Sequence, residues 1–187
     1  SMVLTAVAVL GTQSRGALLG IAAMGLFLLI KSRQKFVLIV LLMLTIPLAL
    51  SFMPQTWYER MATIKTHEQD QSAMGRIDSW KFAFQQAVNR PLTGGGFEVF
   101  YGRTDAHSIY FEILGEHGFI GLILFLLLGI MAWRTGGWVV KNCKDKPELK
   151  WLSDLAAMLQ VCLIGYAVGG AFLGLAYFDL YYHLVAM

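Results

Sequence analysis

From Gly118 to Trp133 the chain carries no charged side chain. Taken back to Ser108, this apolar run is long enough to cross a bilayer as a helix, which needs about 20 mainly apolar residues. Phe36–Met53 and Leu152–Phe178 have the same character, and Pro47 predicts a kink in the first of them. Gly16–Ile30 is shorter and completes a span by borrowing Thr12–Arg15. Met2–Leu10 is apolar but far too short to span, so it reads as the tail of a helix that begins upstream. Charged residues make up 14% of the chain, against about 25% in a typical soluble domain. The pattern predicts an all-α, polytopic transmembrane protein. It has about four spans plus a truncated N-terminal one, in one membrane domain over residues 1–187 that is a fragment of a larger one.

Basic residues set the orientation. Lys31, Arg33 and Lys35 fall in one short loop, and Arg134, Lys141, Lys144, Lys146 and Lys150 in another on the same side. The long polar segment 54–107 holds six basic and six acidic residues, in balance. The positive-inside rule therefore puts the two short loops in the cytoplasm and segment 54–107 on the outer face. Within that segment Ile77, Trp80, Phe84 and Val88 recur at helical spacing, and Pro91 ends the pattern. With Arg76, Asp78, Lys81 and Gln85 turned to water, this helix is expected to lie on the membrane surface. Thr93–Phe97, TGGGF, reads as a flexible turn. Such a turn can form an anion-binding nest, but no phosphate-loop or dinucleotide pattern follows it.

Asp105–Gly121 reads DAHSIYFEILGEHGFIG. If a helix begins at or just before His107, then His107, Phe111, Leu114, Gly118 and Gly121 share one stripe. An imidazole, which changes charge near neutral pH, then stands at the top of a helix face. Gly118 and Gly121 are expected to let a neighbouring helix approach closely. By spacing alone, a histidine capping a helix end explains this equally well. Glu112 and Glu116 lie off that stripe, near the rim, and are expected to support the site. His117 reads as structural, and Tyr177, Phe178, Tyr181 and Tyr182 as an interfacial aromatic belt. Glu68-Gln69-Asp70 is a weak match to a metal-binding Asp-x-Asp pair. Cys143 and Cys162 show no metal-type spacing and no disulfide framework. No metal and no cofactor is expected.

H-S followed, nine residues on, by G-F-I-G resembles the signature of the O-antigen ligase and polymerase superfamily. Its members are membrane glycosyltransferases that use lipid-linked glycans. SRGALL, GRIDSW, AHSIYFEILGEHGFIGL and QVCLIGYAVGGAFLGLAYFDL, in that order, resemble a narrower branch, the exosortase-associated O-glycosylation ligases. Members are about twice this length, which makes this chain resemble their C-terminal portion. The resemblance implies that His107 is the catalytic base. It also implies that Arg76 and Arg15 bind the donor diphosphate, although by residue type alone each reads as a surface or snorkelling arginine. The implied reaction moves a glycan from a polyprenyl diphosphate to an acceptor hydroxyl on the periplasmic face of the bacterial inner membrane. It is metal-independent and, if attack is direct, inverting. The expected partners are the lipid-linked donor, a glycan, lipid or protein acceptor and the bilayer, with no nucleic acid. The alternatives are a polysaccharide polymerase of the same superfamily, a transporter of lipid-linked glycans and a non-enzymatic scaffold.

Overall fold

The computed structural model describes residues 15–31, 35–36, 39–40, 43–44, 55, 71–102 and 105–187. Met2–Leu10, Pro47 and most of Phe36–Met53, the Glu68–Asp70 pair and Arg103 lie outside the described residues. Among those described, the elements are α1 (Arg15–Lys31), α2 (Gln71–Asn89), α3 (Ile109–Cys143), a 3-10 turn (Pro147–Leu149), α4 (Lys150–Gly170) and α5 (Asp179–Ala186), with no strand. The all-α expectation holds.

Two of these helical stretches, Ile109–Cys143 and Pro147–Gly170, are long and apolar enough to cross a membrane, yet only 33% and 28% of their apolar windows are buried. A soluble core helix would hide most of such a surface. Here Ile123, Leu124, Ile130 and Met131 stay exposed, as befits helices whose outer faces meet lipid. α3 and α4 run antiparallel, tied by polar side chains that reach across to backbone carbonyls. Tyr110 Oη donates to Ala167 O at 2.8 Å and Gln160 Nε2 to Trp133 O at 2.8 Å. Such bonds hold helices together where burial of apolar surface cannot. α1 lies antiparallel on α4. A Cβ on Gly20 would sit 3.5 Å from Gly169 Cα, and one on Gly165 would meet Met24.

This arrangement sorts the two ends of the molecule. The start of α1, the end of α4 and the start of α3 share one end, where Gly170 packs against Ile109. The basic stretch from Lys141 to Lys150 occupies the other. Ile109, Ile113, Phe125, Leu163, Tyr181 and Leu184 form the core near the first end. α3 continues through Arg134 to Cys143, so most of the expected Arg134–Trp151 loop is helix. The fourth apolar run ends as a helix at Gly170, and Ala171–Phe178 is a loop.

Three expectations about this first end need correction. First, α3 starts at Ile109, with Ser108 extended at its N-cap (φ −160°, ψ 122°). His107 precedes the helix at φ 46° and shares no stripe with it. Second, Gly118 breaks α3 rather than easing the approach of another helix: its φ is 67° and its ψ −164°, a combination open essentially to glycine. The break frees two carbonyls and one amide, and the glycine-rich turn meets all three. Gly95 N–H donates to Gly115 O at 2.8 Å, Gly96 N–H to Glu116 O at 2.9 Å, and Phe119 N–H to Pro91 O at 2.9 Å. Unpaired groups there would cost about 1–3 kcal/mol each. Thr93–Phe97 is therefore latched, not flexible. Gly121 closes on its own helix, where an added Cβ would fall 2.2 Å from His117 Cβ.

Third, α2 docks on α3 through its small residues. Ser79, Ala83 and Ala87 are buried, whereas Ile77, Phe84 and Val88 are exposed. Small side chains permit the close approach, Trp80 and Phe84 meet Phe111 and Phe119 of α3, and Ile77 and Val88 are left facing outward. Arg76 lies on the docked side with Trp80 and is half-buried rather than turned to water.

Candidate functional site

Phe119–Cys143, at 1.5 Å per residue, is about 37 Å long, enough by itself to cross ~30 Å of hydrocarbon. The break at Gly118 sets Ile109–His117 apart from it as a short separate helix at the end where α1 starts and α4 ends. The latched loop, this short helix and the Ala171–Phe178 loop enclose a cleft of about 360 Å³. One wall carries Phe97, Glu98, Phe100 and Tyr101. Asp105 and Ala106 lie at one side, Glu112 and Glu116 come from α3, and Gly174 and Tyr177 close the top.

The carboxylates are held in place. Glu112 Oε2 accepts the Ala176 N–H at 3.2 Å. Tyr177 donates its hydroxyl proton to the Glu116 carboxylate in a short hydrogen bond. The same hydroxyl stands 2.9 Å from His117 Nε2. Its one proton is already given to Glu116, so the imidazole must donate at that nitrogen. Burial, followed by the bond to Glu116, pushes the Tyr177 phenol well above its ordinary value. Phe97 packs edge-on to His117, ring centroids 4.8 Å apart. Glu116 is only 6% exposed, not the wet rim residue expected. His117, read from the sequence as structural, meets Tyr177 and Phe97 beside the cleft. Tyr181, expected in an interfacial belt, is 4% exposed and donates to Phe125 O at 2.7 Å.

His107 adjoins this cleft. Its neighbour Ala106 lines it, and a Cβ on Gly174 would lie 4.0 Å from His107 N. α2 fixes the segment from behind: Trp80 Nε1 donates to Ala106 O at 2.7 Å, and the Trp80 ring stacks on Phe111 at 4.8 Å and 8°. Left-handed backbone at a residue other than glycine costs on the order of 1–3 kcal/mol and persists where the surroundings impose it. Trp80 supplies that constraint for His107. Arg76 lies one turn before Trp80 on the same face. Its Nε is buried and meets no hydrogen-bond acceptor among the described residues. Arg15 opens α1, of whose first residues only the backbone is described. Gly20 abuts Gly169, so Arg15, five residues earlier, extends about 7.5 Å further toward the cleft end. The fold thus gathers His107, Glu112 and Glu116 about the cleft and puts Arg76 on the helix that grips it. Arg15 sits at the same end, on a helix packed against α4 instead.

A family model described as O-antigen ligase matches residues 1–126. The chain belongs to the O-antigen ligase family. Neither curated proteins nor solved structures give a match. Membership makes this an O-antigen-ligase-type membrane glycosyltransferase. The part matched to the O-antigen ligase model takes in Arg15, Arg76, His107 and the break at Gly118. It stops short of Gly174 and Tyr177, which complete the cleft. Sequence reasoning overlooked Phe97, Glu98, Asp105 and Tyr177 as cleft residues. The three successive glycines before Phe97 were a usable signal, since they allow one backbone to press directly on another.

Proposed function

We propose that the chain transfers a glycan from a polyprenyl diphosphate to an acceptor hydroxyl on the periplasmic face of the bacterial inner membrane. One observation carries this reading. A guanidinium nitrogen, Arg76 Nε, lies buried without an acceptor among the described residues, on the very helix that clamps the residue before His107. A buried donor calls for a partner, and a diphosphate oxygen is the partner that suits a guanidinium fork. In this reading His107 takes the proton of the acceptor hydroxyl as its oxygen attacks the anomeric carbon. The carbon–oxygen bond to the diphosphate breaks, and Arg76 and Arg15 stabilise the departing anion. Direct attack inverts the anomeric centre, and no metal takes part. Residues 1–187 act as one membrane domain, with 54–107 as its periplasmic loop. Lipid, protein and growing polysaccharide acceptors share this chemistry, as do the protein O-glycosylation ligases and the polymerases.

The test is transfer from a purified lipid-linked donor by the protein in lipid nanodiscs, with chelator present throughout. Transfer is expected to persist in chelator. Arg76→Lys keeps the charge but loses the planar fork, and is expected to lower kcat/KM about 10–100-fold. An Arg76→Lys enzyme with unchanged rate and donor affinity would overturn the role of the guanidinium. Activity lost in chelator and restored by magnesium would overturn the metal-free mechanism.

A broken helix is also found in transporters, at mid-membrane. The groups freed by the break here are all paired by the 91–96 loop rather than left to line an open path, so the transporter reading gains nothing from it. Topology gives a separate check, with single cysteines at Ser72 and Ser32 in a background lacking Cys143 and Cys162. An impermeant thiol reagent applied from the periplasmic side is expected to label position 72 and spare position 32. The reverse pattern would remove the function with the topology.

A further inference from the structure

The described lining of the cleft is acidic, which a diphosphate site should not be. Among its described lining residues are four carboxylates and no lysine, arginine or histidine; Arg103, near it in sequence, lies outside the described residues. Glu98 and Asp105 are exposed, Glu112 is half-buried, and Glu116 is turned to Tyr177. Phe97 and Tyr101 add exposed aromatic rings. Carboxylates accept hydrogen bonds from hydroxyls, and aromatic faces pack on the C–H faces of sugar rings. The volume, about 360 Å³, is at the small end of the roughly 300–1,000 Å³ range of ligand pockets.

Resting on the glycosyl-transfer reading, we propose that this cleft binds one or two uncharged sugar rings of the glycan and discriminates against uronic acids. A carboxylate-bearing sugar brought against Glu98, Asp105 and Glu112 meets like charges, which is how binding sites reject wrong partners. The diphosphate then lies outside the cleft, on the Arg76 side, and only the sugar enters.

Saturation-transfer NMR on the protein in nanodiscs tests this without requiring turnover, using maltose and digalacturonate as probes. Maltose is expected to bind at least about 10-fold more tightly than digalacturonate. The preference is expected to fall to roughly 3-fold or less in a Glu98→Gln/Asp105→Asn variant, because two of the repelling charges are gone. Both positions are exposed and the replacements are isosteric, so the fold is retained. Equal binding of the two probes to the unaltered protein would overturn the proposal, as would a preference that the double variant leaves unmoved. Competition by maltose against lipid-linked donor or against acceptor in the transfer assay identifies which of the two supplies the ring. Selective sugar binding without any transfer would refute the enzymatic reading and leave the cleft's specificity standing. Transfer with charge-blind binding would do the opposite.

Discussion

His107→Asn is expected to lower kcat by about 10²–10⁴-fold, the usual contribution of a positioned general base, the role proposed for this histidine, with folding unchanged. Asparagine is the informative replacement because His107 stands at φ 46°. Asparagine tolerates the left-handed region better than other residues with a side chain. It therefore keeps the backbone while removing the base. His107→Gly, which relieves the strain altogether, is expected to be equally inactive and at least as resistant to heat. Wild-type turnover in either variant would remove the base from the mechanism. A parallel loss of activity and of thermal stability would recast His107 as a structural residue. Measuring both quantities on one preparation separates these outcomes.

Gly118→Ala is expected to be among the costliest single methyl additions at the described glycines. Two penalties coincide there. The backbone is in a region that alanine avoids, at about 1–3 kcal/mol. The new Cβ would also lie 2.6 Å from Pro91 O and 3.0 Å from Arg90 O, both backbone atoms with little room to yield. Taken as about 3 kcal/mol at ~2–4 °C per kcal/mol, the melting temperature in detergent drops by roughly 6–12 °C. Gly94→Ala should behave alike, since its Cβ would meet Glu116 O at 2.5 Å with φ at 63°. Gly169→Ala is the control. Nothing lies within 4 Å of its added Cβ and its φ is ordinary, so it is expected to be neutral or slightly stabilising. Equal melting temperatures for Gly118→Ala and Gly169→Ala would show that the latch contributes nothing.

The spans were legible because an uninterrupted apolar run is a local property. α3 and α4 needed only length and composition. Their ends were not legible: Arg134 and Lys141 look like a loop, yet helical backbone continues beneath them because a helix leaving the bilayer has no reason to stop. Gly118 shows a deeper limit. At helical spacing within an apolar run it looks like any packing glycine, and only the loop from residue 91 to 96, brought in by tertiary structure, turns it into a break. α2 misled for a related reason. Its large side chains form the conspicuous stripe, of which Trp80 docks and Ile77 and Val88 do not, while the closest approach uses Ser79, Ala83 and Ala87, whose value lies in being small. For the site, residue type singled out His107 and Arg76. The cleft beside them joins Glu98 to Tyr177 across the length of α3 and α4, a juxtaposition that no local window contains.

The latch also decides how substrate reaches the cleft. The wall that bears Phe97 and Tyr101 looks like a flap, since it hangs on a glycine-rich loop over an enzyme's opening. Swinging it aside would strip Gly115 O, Glu116 O and Phe119 N–H of their partners at once, at about 1–3 kcal/mol for each group left unpaired. The wall is therefore a fixed jamb and not a door. On the proposed reading, a glycan therefore enters through the side of the cleft that this wall leaves open, and the opening keeps one fixed edge throughout the reaction.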